Sequence, residues 1–446
     1  APGEPAKVRI RGVGTVNNPD PLYVIDDVPV EGPGSTNPSD IESISILKDA
    51  AASAIYGSRG ANGVVVITTK RGKKGFHVNF DSQFGIQKEW RRLDLLNSEE
   101  YSIYINEAHW NKSIVEGSRF SPPPVATDPY NQEYDTDWQE AMFQSAPIQK
   151  YNLSVSGAND IGNYMLSGGY FNQQGIMLNT GYEKYYLRVN SAVKWKRFRF
   201  GESFAFNFSN KNNEKNMVGG RSQIERMLKM TPNIPIYDTA GIGGYAGPMS
   251  EHKHDAVNPV GVANMYKSNN KTNGFLGNVF GEIEIIEGLK YKLLFGFDMY
   301  EGENTSFVPV NKMGNSHSVG DDNWDTTFID SKYTLIENLL TYDKTAGKHH
   351  INIIAGYTQE RKTYERQSNS LSYKPLTDTS FYTPGKKYLY ESGLVSYFGR
   401  VNYSYADKYL LQANLRRDGS SKFGKNSRWC IFLSYSAGWV VTKELF

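Results

Sequence analysis

Apolar and polar residues alternate along most of this chain. Across residues 184–195, Tyr185, Leu187, Val189, Val193 and Trp195 share one face, with Arg188, Asn190 and Lys194 on the other. Phe198, Phe200, Phe204, Phe206 and Phe208 oppose Arg199, Ser203 and Asn207. Ile351, Ile353, Ala355 and Tyr357 oppose Asn352, Gly356 and Thr358; Tyr409, Leu411, Ala413 and Leu415 oppose Gln412, Asn414 and Arg416. About a dozen such segments are predicted. They begin near His77, Ile148, Gly162, Lys184, Phe198, Asn273, Leu289, Thr334, His349, Leu394, Lys408 and Cys430.

Period two fits any half-buried antiparallel sheet. The connections discriminate further. Short ones at 157–162, 194–197, 286–288, 344–348 and 406–408 alternate with long ones. The long ones run to roughly a dozen residues at 173–183, then about 60, 30, 35 and a dozen, far beyond ordinary loops. An up-and-down meander with one trimmed and one elaborate rim gives this pattern, as in a transmembrane β-barrel. Trp195, Phe198, Tyr291, Tyr342, Tyr405 and Tyr409 flank the short turns and predict an interfacial girdle on that rim. The strand starting at His77 then runs outward, residues 88–147 form the first outer excursion, and 210–272, 302–333 and 360–393 are outer loops.

Before residue 76 the texture is compact α/β. "KVRIRGVG", "PLYVIDDVPV", "SISIL" and "GVVVITTK" are strand candidates around one small helix. "AIYGSRGANGVVVITTKRGKKG" (54–75) has the glycines and cations of a phosphate loop in the wrong order, since the helix must follow the glycines to offer its N-terminus to the anion. Leu47, Ala50, Ala51 and Ala54 recur at helical spacing ahead of Gly57, a helix stop. The prediction is helix, glycine turn, buried strand at Val64–Ile67, basic exit.

Composition narrows the function. The 446 residues carry a net charge of +2, which points away from nucleic acid. Cys430 is the one cysteine, so no internal disulfide forms, and it is expected to be a half-buried small hydrophobe. Mean hydropathy is −0.54 despite 30 tyrosines, and no apolar run nears the ~20 residues of a membrane helix. No H-E-x-x-H, G-x-S-x-G or CxxC occurs. His252, His254 and Asp255 read as a solvated run; residues 320–325 lack the acidic twelfth position of a calcium loop, which is Lys332. The acidic, aromatic stretch 128–138 reads as loop packing. No catalytic residue, metal site or cofactor is expected.

The stretches "IRGVGTVNNPDPLYVIDDVPV", "DIESISILKDAAASAIYGSRGANGVVVITTKRGK", "TDWQEAMFQSAPIQKYNLSVSGA" and "YSYADKYLLQANLRRDGSSKFGKNSRWCIFLSYSAGW" resemble the SusC-like TonB-dependent transporters of the outer membrane. The likeness runs along essentially the whole chain. It implies a mainly β protein: an N-terminal α/β plug domain, of which residues 1–75 are the C-terminal part, then antiparallel strands of a large transmembrane β-barrel from 76 to 446, incomplete at about half its strands. Plug-motif positions are Asp26, Gly57, Arg59, Gly60, Asn62 and Gly63. Asp27, Cys430 and Leu433 depart from the family's usual glycine, glycine and proline. The plug is expected inside the barrel, with Arg59, Lys70, Arg71, Lys73 and Lys74 on polar lumen groups or the periplasmic mouth.

The resemblance further implies TonB-dependent import of a bulky oligosaccharide or peptide across the outer membrane of a Gram-negative bacterium. A SusD-like lipoprotein would lid the outer rim. TonB would act through a segment missing before residue 1, and more barrel would follow Phe446. Tyr237, Tyr245, Trp324, Phe381 and Tyr382 are the candidate substrate or partner residues, with Phe307 and Tyr373 beside them. The alternative is a surface adhesin or glycan-binding β protein, which has no use for the N-terminal unit.

Overall fold

The computed structural model describes residues 2–4, 7–10, 12, 18–49, 54–123, 126–214, 222–249, 252, 255–315 and 317–444. The first unit is a four-stranded sheet. β1 (Leu22–Ile25) turns into β2 (Val28–Val30), and β3 (Ile41–Leu47) and β4 (Val64–Thr69) follow. The order is β2-β1-β4-β3, with β4 parallel to β1 and antiparallel to β3. A central position explains why the Val64–Ile67 run is apolar throughout: it packs on both faces. Asp26 and Asp27 form the β1–β2 turn with φ of 46° and 72°. A two-residue hairpin of this twist needs positive φ at both positions, which Asp tolerates better than most side chains.

The expected helix is corrected. Ile41–Leu47 is a strand, as the two-residue period of "IESISIL" demands. Ala50 and Ala51 lie outside the described residues. Ala54–Gly60 forms 3-10 turns broken at Gly57, where φ is 61° and ψ −142°. Lys7–Ile10, at the start of the first strand candidate, is not in a strand, and most of the remainder lies outside the described residues.

The wall begins at β5 (Gly75–Gln87). It continues with β6 (Ala146–Ala158), β7 (Gly162–Gln174), β8 (Gly181–Trp195), β9 (Phe198–Asn212), β10 (Lys267–Ile286) and β11 (Leu289–Val308). A small hairpin, β12 (Asn311–Met313) with β13 (His317–Val319), interrupts it. Then come β14 (Asp322–Ala346), β15 (His349–Lys374), β16 (Thr379–Tyr405), β17 (Tyr409–Ser420) and β18 (Trp429–Trp439). Leaving out β12 and β13, these form one 12-stranded sheet in chain order, each strand antiparallel to the next. The sheet does not close; β5 and β18 are its edges. In such a meander every second connection falls on the same rim, so the five short turns share one, joined there by the plug's exit strap through the Lys74–Ala158 bridge.

Alternation divides the two faces as the sequence predicts. Arg188, Asn190, Ser203 and Asn207 are buried toward the plug, while Tyr185, Leu187, Phe200 and Phe208 are exposed on the outward face. The short-turn rim carries the expected girdle, with Trp195 on Phe198 at 6.0 Å and Tyr405 on Tyr409 at 6.4 Å. A second outward row lies farther up. It joins Tyr151, Tyr170 and Tyr185, then Phe206, Phe275 and Phe297, and finally Tyr357 and Tyr397. Trp195 and Tyr185 are separated by about 25 Å of height, at ~3.3 Å per residue and ~40° of tilt, which matches an apolar band flanked by two girdles.

Two of the expected outer loops are corrected. Residues 302–333 and 360–393 are mostly strand: β11 and β14 pair up to Val308–Asn323, and β15 and β16 up to Lys374–Thr379. Polar alternation beyond the lipid band looks like loop in sequence, yet the ladder continues because each strand keeps its neighbour. The described residues of 88–147 and 213–266 instead build an ordered cap. It contains α1 (Ser98–Glu116), α2 (Trp138–Met142), α3 (Gln223–Lys229) and α4 (Pro259–Met265). Trp138, Met142, Met227, Met230, Ile234 and Val260 form its core, and Trp138 Nε1 donates to the Thr231 carbonyl at 3.0 Å. Of the 128–138 stretch, Trp138 packs into this core, while Tyr130 and Tyr134 are exposed. Cys430 is exposed rather than half-buried, because it points inward on the edge strand opposite Asp418.

Gly72 marks how closely the exit strap crosses the wall. A Cβ there would meet the Gly157 carbonyl oxygen at 2.0 Å and that of Tyr164 at 2.5 Å, both backbone. Gly72→Ala is expected to cost on the order of 1–3 kcal/mol through overpacking. Heat-modifiable gel mobility should show a severalfold drop in folded protein, whereas Gly320→Ala, with open space around it, should match the wild type.

Candidate functional site: the contact between plug and wall

Asp26 sits at the tip of the β1–β2 turn with its side chain 3% exposed. Its carboxylate accepts from the Thr69 amide at 2.9 Å, the Thr69 hydroxyl at 2.6 Å and the Ser203 hydroxyl at 2.9 Å. Arg188 Nη1 on β8 reaches the same carboxylate at 3.2 Å, itself only 3% exposed. Asp40 stands 3.7 Å from Arg188 Nε, and burial raises its carboxyl above the usual range. Asp26 is therefore the principal counter-ion. Around this centre Asn190 donates to Thr69 and the Lys70 carbonyl, Asn278 to the Asp26 carbonyl, and Asn37 to Asn152. Lys184 bonds the Gly34 carbonyl. A wall that offers amides and guanidinium groups inward can hold the carboxylate and the carbonyl of Asp26, whose amide donates to the Ile67 carbonyl within the plug.

A second contact involves the 54–60 turns. Arg59 makes a bidentate bridge to Glu360 on β15, at 2.5 and 2.7 Å. Arg416 on β17 bonds the Ile55 carbonyl, donates to Ser396 at 2.8 Å and is held by Asp418 at 2.6 Å. Gly57 lies against this pair: a Cβ would come 2.2 Å from an Asp418 oxygen and 2.7 Å from Arg416 Nε. So "YGSRG" and "RRDG", far apart in sequence, are contact partners. Burial pushes the neighbouring Tyr56 hydroxyl up to about 12, so it stays neutral. Gly60 is buried, Asn62 donates to the carbonyls of Asn18 and Asp20, and Gly63 has φ 90° beside Ile10.

The expected basic contacts divide. Among the described residues, Arg59 is the one of the five that makes a side-chain ion pair with the wall. Lys70 Nζ bonds the Ser39 carbonyl, Lys73 pairs with Glu42 at 3.5 Å, and the Lys74 carbonyl meets His77. The interface is also drier than expected on one side, where Tyr23, Ile25, Val28 and Ile67 share an apolar cluster with Ala205 and Leu276 of the wall. Asp27, at the departure from the family's glycine, adds an ion pair to Lys292 at 2.7 Å.

The aromatic candidates do not form one site. Phe307, Trp324, Leu371 and Tyr382 are consecutive cross-strand partners on the outward face of the tall hairpins, with Trp324 stacked on Phe307 at 4.7 Å. Phe381 is on the other face, under Lys374. Tyr237 and Tyr245 pair in the cap at 5.4 Å. Sequence reading missed Asp40, Asn278 and Glu360 as contact residues; for Asn278 and Glu360 the signal was a polar side chain at an inward strand position, whereas Asp40, in a 3-10 turn of the plug, gave none.

Asp26→Ala strands Arg188 without its main partner. The expected cost is ~3–5 kcal/mol, the range for breaking a buried ion pair. Asp27→Gly relaxes a positive φ while losing a half-exposed pair, so its effect should stay within about 1 kcal/mol. Chemical denaturation in detergent, monitored by proteolysis of the first 75 residues, should separate the two; equal effects would contradict the assignment of Asp26.

The TonB-dependent Receptor Plug Domain family matches residues 1–64. TonB-dependent receptor P3 of Formosa agariphila is 32% identical over 461 residues, spanning 100% of this chain and 44% of that protein. TonB-dependent receptor SusC of Bacteroides thetaiotaomicron is 29% identical over 482 residues, spanning 100% of this chain and 46% of that protein. The chain thus spans less than half the length of these relatives. The solved RagAB peptide transporter shares the fold, with a TM-score of 0.79 at 23% identity over 97% of this chain and 52% of that one. With a plug match at its start, TonB-dependent receptors including SusC aligned along its whole length and a plug seated on a meander wall, the chain is similar to the SusC-like TonB-dependent receptors.

Proposed function

We propose that this protein imports a bulky nutrient, an oligosaccharide or a peptide, across the outer membrane of a Gram-negative bacterium. It does no covalent chemistry; transport is driven by TonB acting on the plug from the short-turn side. The observation that carries this reading is the plug's attachment to the wall. Two polar clusters, Asp26–Arg188 and Arg59–Glu360, fasten it at positions a strand-only adhesin would fill with side chains. Hydrogen-bonded contacts of this kind can be exchanged for water one by one, whereas a fully apolar core cannot be opened stepwise. The names of the relatives support import, and the RagAB likeness leaves peptide beside glycan as cargo class.

A SusD-like lipoprotein is the proposed lid. The cap and the tall hairpins provide the platform, and the Phe307–Trp324–Leu371–Tyr382 row is its proposed aromatic contact, with Tyr237, Tyr245 and Phe381 left for cargo.

Cysteines at Asn37 and Asn152, whose side chains already meet at 2.7 Å, provide the test. Once crosslinked, the pair should abolish uptake of whatever material co-purifies with the protein, and reductant should restore it. Uptake indifferent to the crosslink would leave the adhesin reading. Glu360→Gln should loosen the plug and sensitise cells to a glycopeptide antibiotic too large for porins, with unchanged sensitivity counting against the Arg59 contact. Replacing residues 309–321 by a tight turn keeps the β11–β14 ladder; a lipoprotein complex unaffected by that change would remove this rim from the interface.

A further inference from the structure

Half of the "RRDG" segment is explained by the plug. Arg416 and Asp418 point inward, and the alternate residues Arg417 and Gly419 point outward. Arg417 continues the row Tyr409, Leu411, Ala413, Leu415, opposite Tyr397 on β16 and Ile431 on β18. Its guanidinium lies over the Trp429 ring, 4.6 Å from the centroid. Trp429 in turn lies flat across Gly419, where a Cβ would meet three ring carbons at 2.8 Å, and Tyr397 stacks beside it at 6.2 Å. The glycine is what allows the indole to lie down, and the indole is what holds the guanidinium. No carboxylate pairs with Arg417 among the described residues.

Its height is the second observation. Tyr409 and Trp439 face each other at the short-turn rim. From Tyr409 to Arg417 the strand climbs about 20 Å at ~3.3 Å per residue and ~40° of tilt, so the guanidinium sits at the far edge of an apolar band. The third is the connection directly above. Residues 421–428 contain Lys422, Lys425 and Arg428, all exposed, and no acid. The turn is ordered, with the Ser420 amide bonded to the Arg428 carbonyl and the Ser421 amide to that of Gly393.

We propose that Arg417, on its Trp429–Gly419 platform, binds the phosphate of an outer-leaflet lipid headgroup, with Lys422, Lys425 and Arg428 completing the charge. The guanidinium fork matches a phosphate bidentately, the aromatic face leaves its N–H edge free, and the acyl chains lie along Leu415, Ile431 and Leu433. This rests on the strands crossing an outer membrane.

The test is native mass spectrometry of the protein purified from outer membranes, titrated with phosphorylated lipid A and with the same lipid stripped of phosphate. The phosphorylated form should bind at least about tenfold more tightly, since four cations meet its phosphate. Arg417→Gln should erase most of that preference. Lys422→Gln/Lys425→Gln/Arg428→Gln, which touches no strand pair, should reduce it severalfold even if the first variant folds poorly. Lys348→Gln, on the other rim, should leave it intact. Equal binding of the two lipids, an unchanged preference in both variants, or full displacement of the lipid by inorganic phosphate overturns the proposal. Recovery of the protein from the soluble fraction would overturn the outer-membrane reading instead.

Discussion

The contact between Asp26 and Arg188 sets the terms for the rest of the interior. A carboxylate and a guanidinium withdrawn from water depend on the partners that meet them there. Thr69, Ser203 and Arg188 Nη1 serve the carboxylate, Asp40 stands by Arg188 Nε, and Asn190 and Asn278 bond the hydroxyl and carbonyls around them, while Arg188 Nη2 is buried without a hydrogen-bond partner. Every one of these side chains has to be placed by a strand or turn. The turn that carries Asp26 runs at positive φ on both residues, a conformation maintained by the same bonds. Wall and plug therefore specify one another: Arg188, Asn190, Ser203 and Asn278 are polar at inward positions of β8, β9 and β10 because the plug's turn meets them there, and Ala205 and Leu276 between them meet its apolar strands.

The outward face obeys the opposite rule. Lipid offers no hydrogen bonds, so the backbone must be satisfied within the sheet and the outward side chains must be apolar. Leu187, Phe200, Leu411 and Leu433 show this, and aromatic rows at two heights mark where the apolar band ends. Above the second row the strands continue, and charged residues join their outward face below the Phe307–Trp324 row. Asp330, Lys332 and Arg361 can occupy a paired strand once water lies outside it.

The two motifs most specific to the family acquire one explanation. Gly57 has no side chain because Arg416 and Asp418 occupy the space, and Arg416 is oriented by the Ile55 carbonyl that the broken turn exposes. Neither motif reveals this alone. Gly57 reads as a helix stop, and Arg416 as one more polar residue in an alternating strand. Glu360 at an inward strand position suggests no role by itself, since its partner Arg59 lies 301 residues away.

Period two, repeated over about a dozen segments with loops sorted by length, was enough to define the meander, its rims and which side chains face lipid, because strand geometry is local. The β-branched run at Val64–Ile67 likewise announced a buried strand. What the sequence left open depends on contacts between distant residues. The hairpins continuing through 302–333 and 360–393 needed a neighbour for each polar strand. The broken 3-10 turns at Ala54–Gly60 needed Arg416 of the wall beside them, while the alanines before them suggested a helix. The cap needed Trp138 to meet Met227 and Met230. The Asp26–Arg188 and Arg59–Glu360 contacts needed the wall to curve around the plug. Alternation determines which face a residue occupies; only the folded chain decides what stands opposite it.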